Sequence, residues 1–209
     1  WGIDPGCHVP LMEFVAEHGR RPTPAEFQWS HVAPAFYFLA GWEYRCLTSL
    51  GLSRRAAERG LMLTQAAINI AGLFAVWSLA RAFGGRDGPA SAIAVGLFTF
   101  LPANVQLAMQ FSNECLQQTL LLWCTALTCR LMLGDRGRAT PMTVAALAVA
   151  LCGAAAIKIN ALPLMAVSAA FLGLYCARER RPWLGGSVVC IVCVAFALAV
   201  HANRNDALR

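Results

Sequence analysis

Charge is scarce in this chain. Only 13% of its 209 residues are Asp, Glu, Lys or Arg, against 58% hydrophobic residues and a mean hydropathy of +0.55. Soluble domains carry about a quarter charged residues, so what is missing is the polar face that a water-exposed helix needs. The few charges gather in short clusters between long apolar runs, the pattern of a chain solvated by lipid. Stretches that interleave aromatic and basic residues are also lacking. The formal charge of +6 therefore reads as the positive-inside signal of a membrane protein, with no nucleic-acid partner.

A disulfide framework is absent as well. The nine cysteines are an odd number, and all but Cys7 lie in or at the edge of apolar segments. Cys190 and Cys193 form a C-x-x-C, but inside the run 188–194 and without a second ligand pair, so small buried hydrophobes are expected rather than a metal site. No secretory signal peptide is recognisable. With Trp1 first and Arg209 last, the sequence is expected to be a fragment of a longer chain.

What is present divides into two parts. Residues 1–31 hold Asp4, Glu13, Glu17, Glu26, Arg20, Arg21 and three of the four histidines. Residues 11–18 have the period of a short amphipathic helix that Gly19 ends. Thr23-Pro24-Ala25-Glu26 reads as an N-cap, a proline at the first helical position and a capping-box acid. Residues 32–203 contain apolar segments at about 32–50, 61–80, 89–111, 114–133, 142–157, 161–177 and 184–201. The fold class expected is all-α: a multi-pass transmembrane bundle over 32–203, preceded by an extracytoplasmic loop of short interfacial helices over 1–31.

Arginines in 51–60, 134–140 and 178–182 place all three loops in the cytoplasm. An even number of crossings must then separate the first two, although three apolar segments lie between them. Leu101-Pro102 interrupts the middle one, so 89–111 reads as a broken, re-entrant element, tolerable where it is buried or lines a cavity. The other solution is a full crossing at 89–111 with the topology inverted downstream. The segments 142–157 and 161–177 form a hairpin with Lys158 and Asn160 at its outer tip.

With this topology Asp4, His8, His31, Asn113, Glu114 and Lys158 meet on one membrane face. Carboxylates, histidines and a lysine at that depth suit activation of a hydroxyl and retention of a phosphate. Each also has a plainer reading. Asp4 before Pro5-Gly6 suits a turn, and Asn113-Glu114 suits a helix cap. His31 beside Trp29 suits the interface, and Lys158 suits snorkelling.

Asp4-Pro5-Gly6-Cys7-His8, the stretch 15–24 (Val-Ala-Glu-His-Gly-Arg-Arg-Pro-Thr-Pro) and His31-Val32-Ala33-Pro34-Ala35-Phe36-Tyr37 resemble the first outer loop of a known family. That family is the GT-C membrane glycosyltransferases of the protein O-mannosyltransferase and aminoarabinose transferase type. Phe100-Leu101-Pro102, Ser112-Asn113-Glu114 and Ala156-Ile157-Lys158 are similar to its later motifs, so the resemblance covers most of the chain, as the N-terminal part of such an enzyme. It implies transfer of a sugar from a polyprenyl-phosphate donor to an acceptor glycan, lipid or protein on the extracytoplasmic face of the cell membrane. No cofactor or metal is implied beyond that donor. Asp4 matches the family's catalytic base and Glu114 its second acidic position. His8, His31, Asn113 and Lys158 would bind substrate, Lys158 meeting the carrier phosphate. Pro5 stands where a second acid is usual, Val32-Ala33-Pro34 replaces a proline pair, and Glu114 replaces aspartate. A catalytically inactive assembly subunit and a transporter are the competing classes.

Overall fold

The computed structural model describes residues 5–27, 35–84, 89–108, 111–133 and 141–157, with scattered helical residues between 163 and 197. The fold is all-α, with no strand among the described residues. Among the described residues seven helices follow one another: α1 Pro5–His18, α2 Ala35–Ser49, α3 Arg54–Gly84, α4 Ala90–Phe100, α5 Pro102–Ala108, α6 Asn113–Leu133 and α7 Pro141–Ile157.

Helix α1 starts six residues earlier than its periodicity predicts and keeps Pro10 inside. Pro5 fits the first helical position, where its missing N–H is not needed. Pro10 forfeits one backbone bond. What offsets that loss is the stripe Leu11, Met12, Val15 and Ala16, buried against Phe36, Tyr37 and Ala40 of α2. Each large side chain in such a stripe contributes about 1.5–3 kcal/mol. The two backbones close at Gly41, where an added Cβ would stand 3.2 Å from the Ala16 nitrogen. Gly19 ends α1 as expected, at φ +64 with its N–H on the Val15 carbonyl at 2.9 Å.

The turn that follows carries half of the expected capping box. Glu26 accepts the Thr23 backbone N–H at 2.8 Å and grips the Arg20 guanidinium at 2.6 and 2.9 Å. Residues 24–26 form a turn rather than a helix. Arg20, then the Thr23 N–H, hold the Glu26 carboxyl down at about 2. Its folded value is depressed, so its stabilisation is complete above the ordinary carboxylate range and fades as pH falls toward 2. We expect a carboxyl NMR titration of Glu26 to have its midpoint near 2, and Arg20→Gln to move it upward.

Helices α2 and α3 are antiparallel: Thr64 donates its hydroxyl to Glu43, and Leu47 abuts Gly60. At their junction Arg54 pairs with Glu13 of α1 at 2.9 Å and with Glu58 at 3.1 Å. Helices α3 and α6 are parallel and in step. Gln65 Nε2 donates to the Ser112 carbonyl at 2.9 Å, Thr119 Oγ1 to that of Ile68 at 3.1 Å, and Trp123 Nε1 to that of Ala71 at 3.1 Å. Gly72 lets them approach, since its Cβ would lie 3.0 Å from Thr119 Oγ1. Helix α7 runs back along α6, packing Val144, Leu147, Leu151 and Ala154 on Cys124 and Leu131.

The break expected near Leu101 is present. α4 stops at Phe100, Leu101 turns to ψ 127, and Pro102 opens α5. Asn104 caps the gap by donating its side-chain amide to the Phe98 carbonyl while accepting Gln118 Nε2 at 2.6 Å. The re-entrant reading of 89–111 is corrected, however. Because α3 and α6 point the same way, α4–α5 is a return leg between them, so the start of α3 and the end of α6 lie at opposite ends of the bundle. Helix α2 does not separate α1 from the start of α3 either: it has 15 residues, about 22 Å of helix, and Glu13 touches Arg54. The expected tip at Lys158 and Asn160, the loop 178–182, and most of 161–177 and 184–201 lie outside the described residues.

Among the described residues one helix, Arg54–Phe83, is long and apolar enough to cross a membrane, and 17% of its apolar window is buried.

Candidate functional site

The site grows from the packing of α1 and α2 against the start of α6. Tyr37 is buried to 1% exposure, and its hydroxyl meets His8 Nδ1 at 2.7 Å. The imidazole tautomer decides which of them donates. Tyr37 stands edge-on to its neighbour Phe36, which packs on Phe111 with ring centroids 5.3 Å apart. Two residues on, α6 begins at Asn113, buried like Ser112 before it. Ser112 gives its carbonyl to Gln65, while its hydroxyl is buried with no hydrogen-bond partner among the described residues. Histidine, phenol, amide and hydroxyl thus lie within one chain of contacts at the level of Gln65.

Glu114 turns the other way. It is exposed and opens onto a groove of about 430 Å³ along α6, with Gln117 and Gln118 beside it, Leu107 of α5 opposite and Leu121 and Leu122 beyond. A carboxylate in the first turn of α6 suits the positive end of the helix dipole. The groove is therefore charged at one end and apolar along its length, a shape for an amphiphile.

Of the residues expected to converge, His8, Asn113 and Glu114 lie at the same end of the bundle. Asp4, His31 and Lys158 lie outside the described residues. Gly153 meets Leu120 at 3.3 Å, so the last turn of α7 comes level with the first turns of α6. Among the described residues no three His, Cys, Asp or Glu side chains are grouped to hold a metal.

Three members of the site were not singled out by sequence reasoning. Gln65 was legible as an amide inside an apolar run, where an unpaired polar group is costly. Tyr37 sits at the end of the motif that carries the family resemblance. Ser112 opens another stretch of that resemblance, though nothing in the sequence marks its hydroxyl. Comparison with known proteins finds no matching family model, no matching curated protein and no matching solved structure.

Proposed function

We propose that this chain is part of a multi-pass membrane bundle with a polar cleft at one end. More particularly, we propose a glycosyltransferase that draws its sugar from a polyprenyl-phosphate donor. The observation that carries the reading is the junction of His8 and Tyr37 with Ser112-Asn113-Glu114, drawn from three of the stretches that resemble the GT-C family. Membrane residence is supported by α3, whose Leu63, Ile70 and Phe74 are 72%, 55% and 55% exposed. A soluble core helix would bury such residues.

In the reaction the acceptor hydroxyl oxygen attacks the anomeric carbon and its proton passes to Asp4. The sugar–phosphate C–O bond breaks, and polyprenyl phosphate leaves with the electron pair. The role assigned to Lys158 is to hold the carrier phosphate by its charge, and the groove at Glu114 receives part of an amphiphilic substrate.

The site, α1 and loop 51–60 share the extracytoplasmic face, while 134–140 and 178–182 are cytoplasmic. Arg54 stands between Glu13 and Glu58, which offsets the charge that the arginine count assigned to the cytoplasm. In a cysteine-free background, an impermeant reagent outside the cell should label Ser53→Cys and spare Gly137→Cys. Labelling of both from one side would sink this topology. The full-length protein in proteoliposomes should consume a polyprenyl-phosphate sugar and release polyprenyl phosphate. If no such donor is consumed, the reading as an enzyme fails.

A further inference from the structure

At the opposite end of the bundle, Trp77 and Phe74 meet edge-on with centroids 6.5 Å apart, and the Arg81 guanidinium lies over the Trp77 ring at 5.0 Å. Phe74, Trp77 and Phe83 are 55%, 42% and 71% exposed. No carboxylate pairs with Arg81 or Arg130 among the described residues. The two arginines are nearly level. Contacts of Thr119 with Ile68 and Trp123 with Ala71 fix the step between the parallel helices, and that step sets Arg130 within a turn of Arg81.

Along α3, residues 60–80 carry no charge. The rise from Arg59 to Arg81 is about 33 Å, close to the roughly 30 Å of a hydrocarbon core. Basic side chains at one collar of α3 therefore reach one headgroup layer and Arg81 the other. An aromatic plane beneath a guanidinium is a familiar interfacial arrangement. Cytoplasmic leaflets carry the anionic lipids.

We propose that Arg81, held on Trp77, and Arg130 form a collar that binds the phosphate of anionic phospholipid headgroups on the face opposite the candidate site. This inference rests on the membrane reading above. It does not depend on the enzymatic one.

The test is reconstitution of the full chain into nanodiscs of phosphatidylcholine with phosphatidylglycerol, followed by mass-spectrometric counting of retained lipid. The wild type should retain phosphatidylglycerol above its bulk share, and added salt should reduce the excess. Arg81→Gln and Arg130→Gln should each lower the enrichment about fivefold, with Arg54→Gln leaving it unchanged. Trp77→Leu, which keeps the charge and removes the ring, should lower it by less. Unchanged enrichment in the double Arg81→Gln/Arg130→Gln protein, or equal loss in Arg54→Gln, would overturn the collar. Failure of the wild type to enter nanodiscs would overturn the membrane reading itself.

Discussion

On the glycosyltransferase reading proposed above, Asp4→Asn should lower turnover by about 10²–10⁴-fold, the usual contribution of a general base, while expression and donor affinity persist. Asparagine keeps the size and most of the hydrogen bonding of aspartate and removes only the proton acceptor. Lys158→Met should show the opposite division. A phosphate contact exists in both ground and transition states, so its loss should raise the donor KM more than it lowers kcat. Glu114→Gln leaves an amide in the groove and should change the preference among amphiphiles. Steady-state transfer assays with purified variants separate these outcomes. An Asp4→Asn protein that transfers sugar at the wild-type rate would end the catalytic assignment.

Gly72→Leu should destabilise the bundle by about 1–3 kcal/mol, the range for overpacking a close interface. Even a Cβ at this position would meet Thr119 Oγ1 at 3.0 Å and Leu122 Cδ1 at 3.6 Å. Thr119 is not free to turn aside, because its hydroxyl is committed to the Ile68 carbonyl. A larger side chain must pry α3 from α6 or break that bond. Denaturation of the purified protein in detergent, monitored by tryptophan fluorescence, measures the change. Gly96, which has nothing within 4 Å of a built Cβ, is the matched control and should tolerate alanine. Equal stability of Gly72→Leu and the wild type would contradict the close packing of α3 on α6.

The helices were legible where local chemistry dictates them. Gly19 ends α1 because only a residue at ease with positive φ continues the chain there. Pro102 breaks 89–111 because it cannot donate to the preceding turn. Direction was less legible. The arginine rule counts charges within a loop, yet Arg54 is answered not only by Glu58 of that loop but by Glu13, 41 residues earlier. Similarly, nothing local fixes α6 parallel to α3. That depends on Gln65, Thr119 and Trp123 reaching across about fifty residues of chain, a tertiary choice that hydropathy does not encode. Within the site, His8 and Asn113 were named from the sequence because the expected topology sets them on one membrane face. Tyr37 and Ser112 were missed because their roles arise only once α1, α2 and α6 are packed.

The first hydrophobic cluster, made by α1 and α2 with Leu61, is closed from outside by Phe111 and Leu116. During synthesis that cluster stays open until Leu116 has been made, about eighty residues after Tyr37. At about 5–20 residues per second, the interval is of the order of 4–16 s. Throughout it Leu11, Met12 and Val15 have no complete cover, so the nascent α1–α2 pair is a natural client for a chaperone.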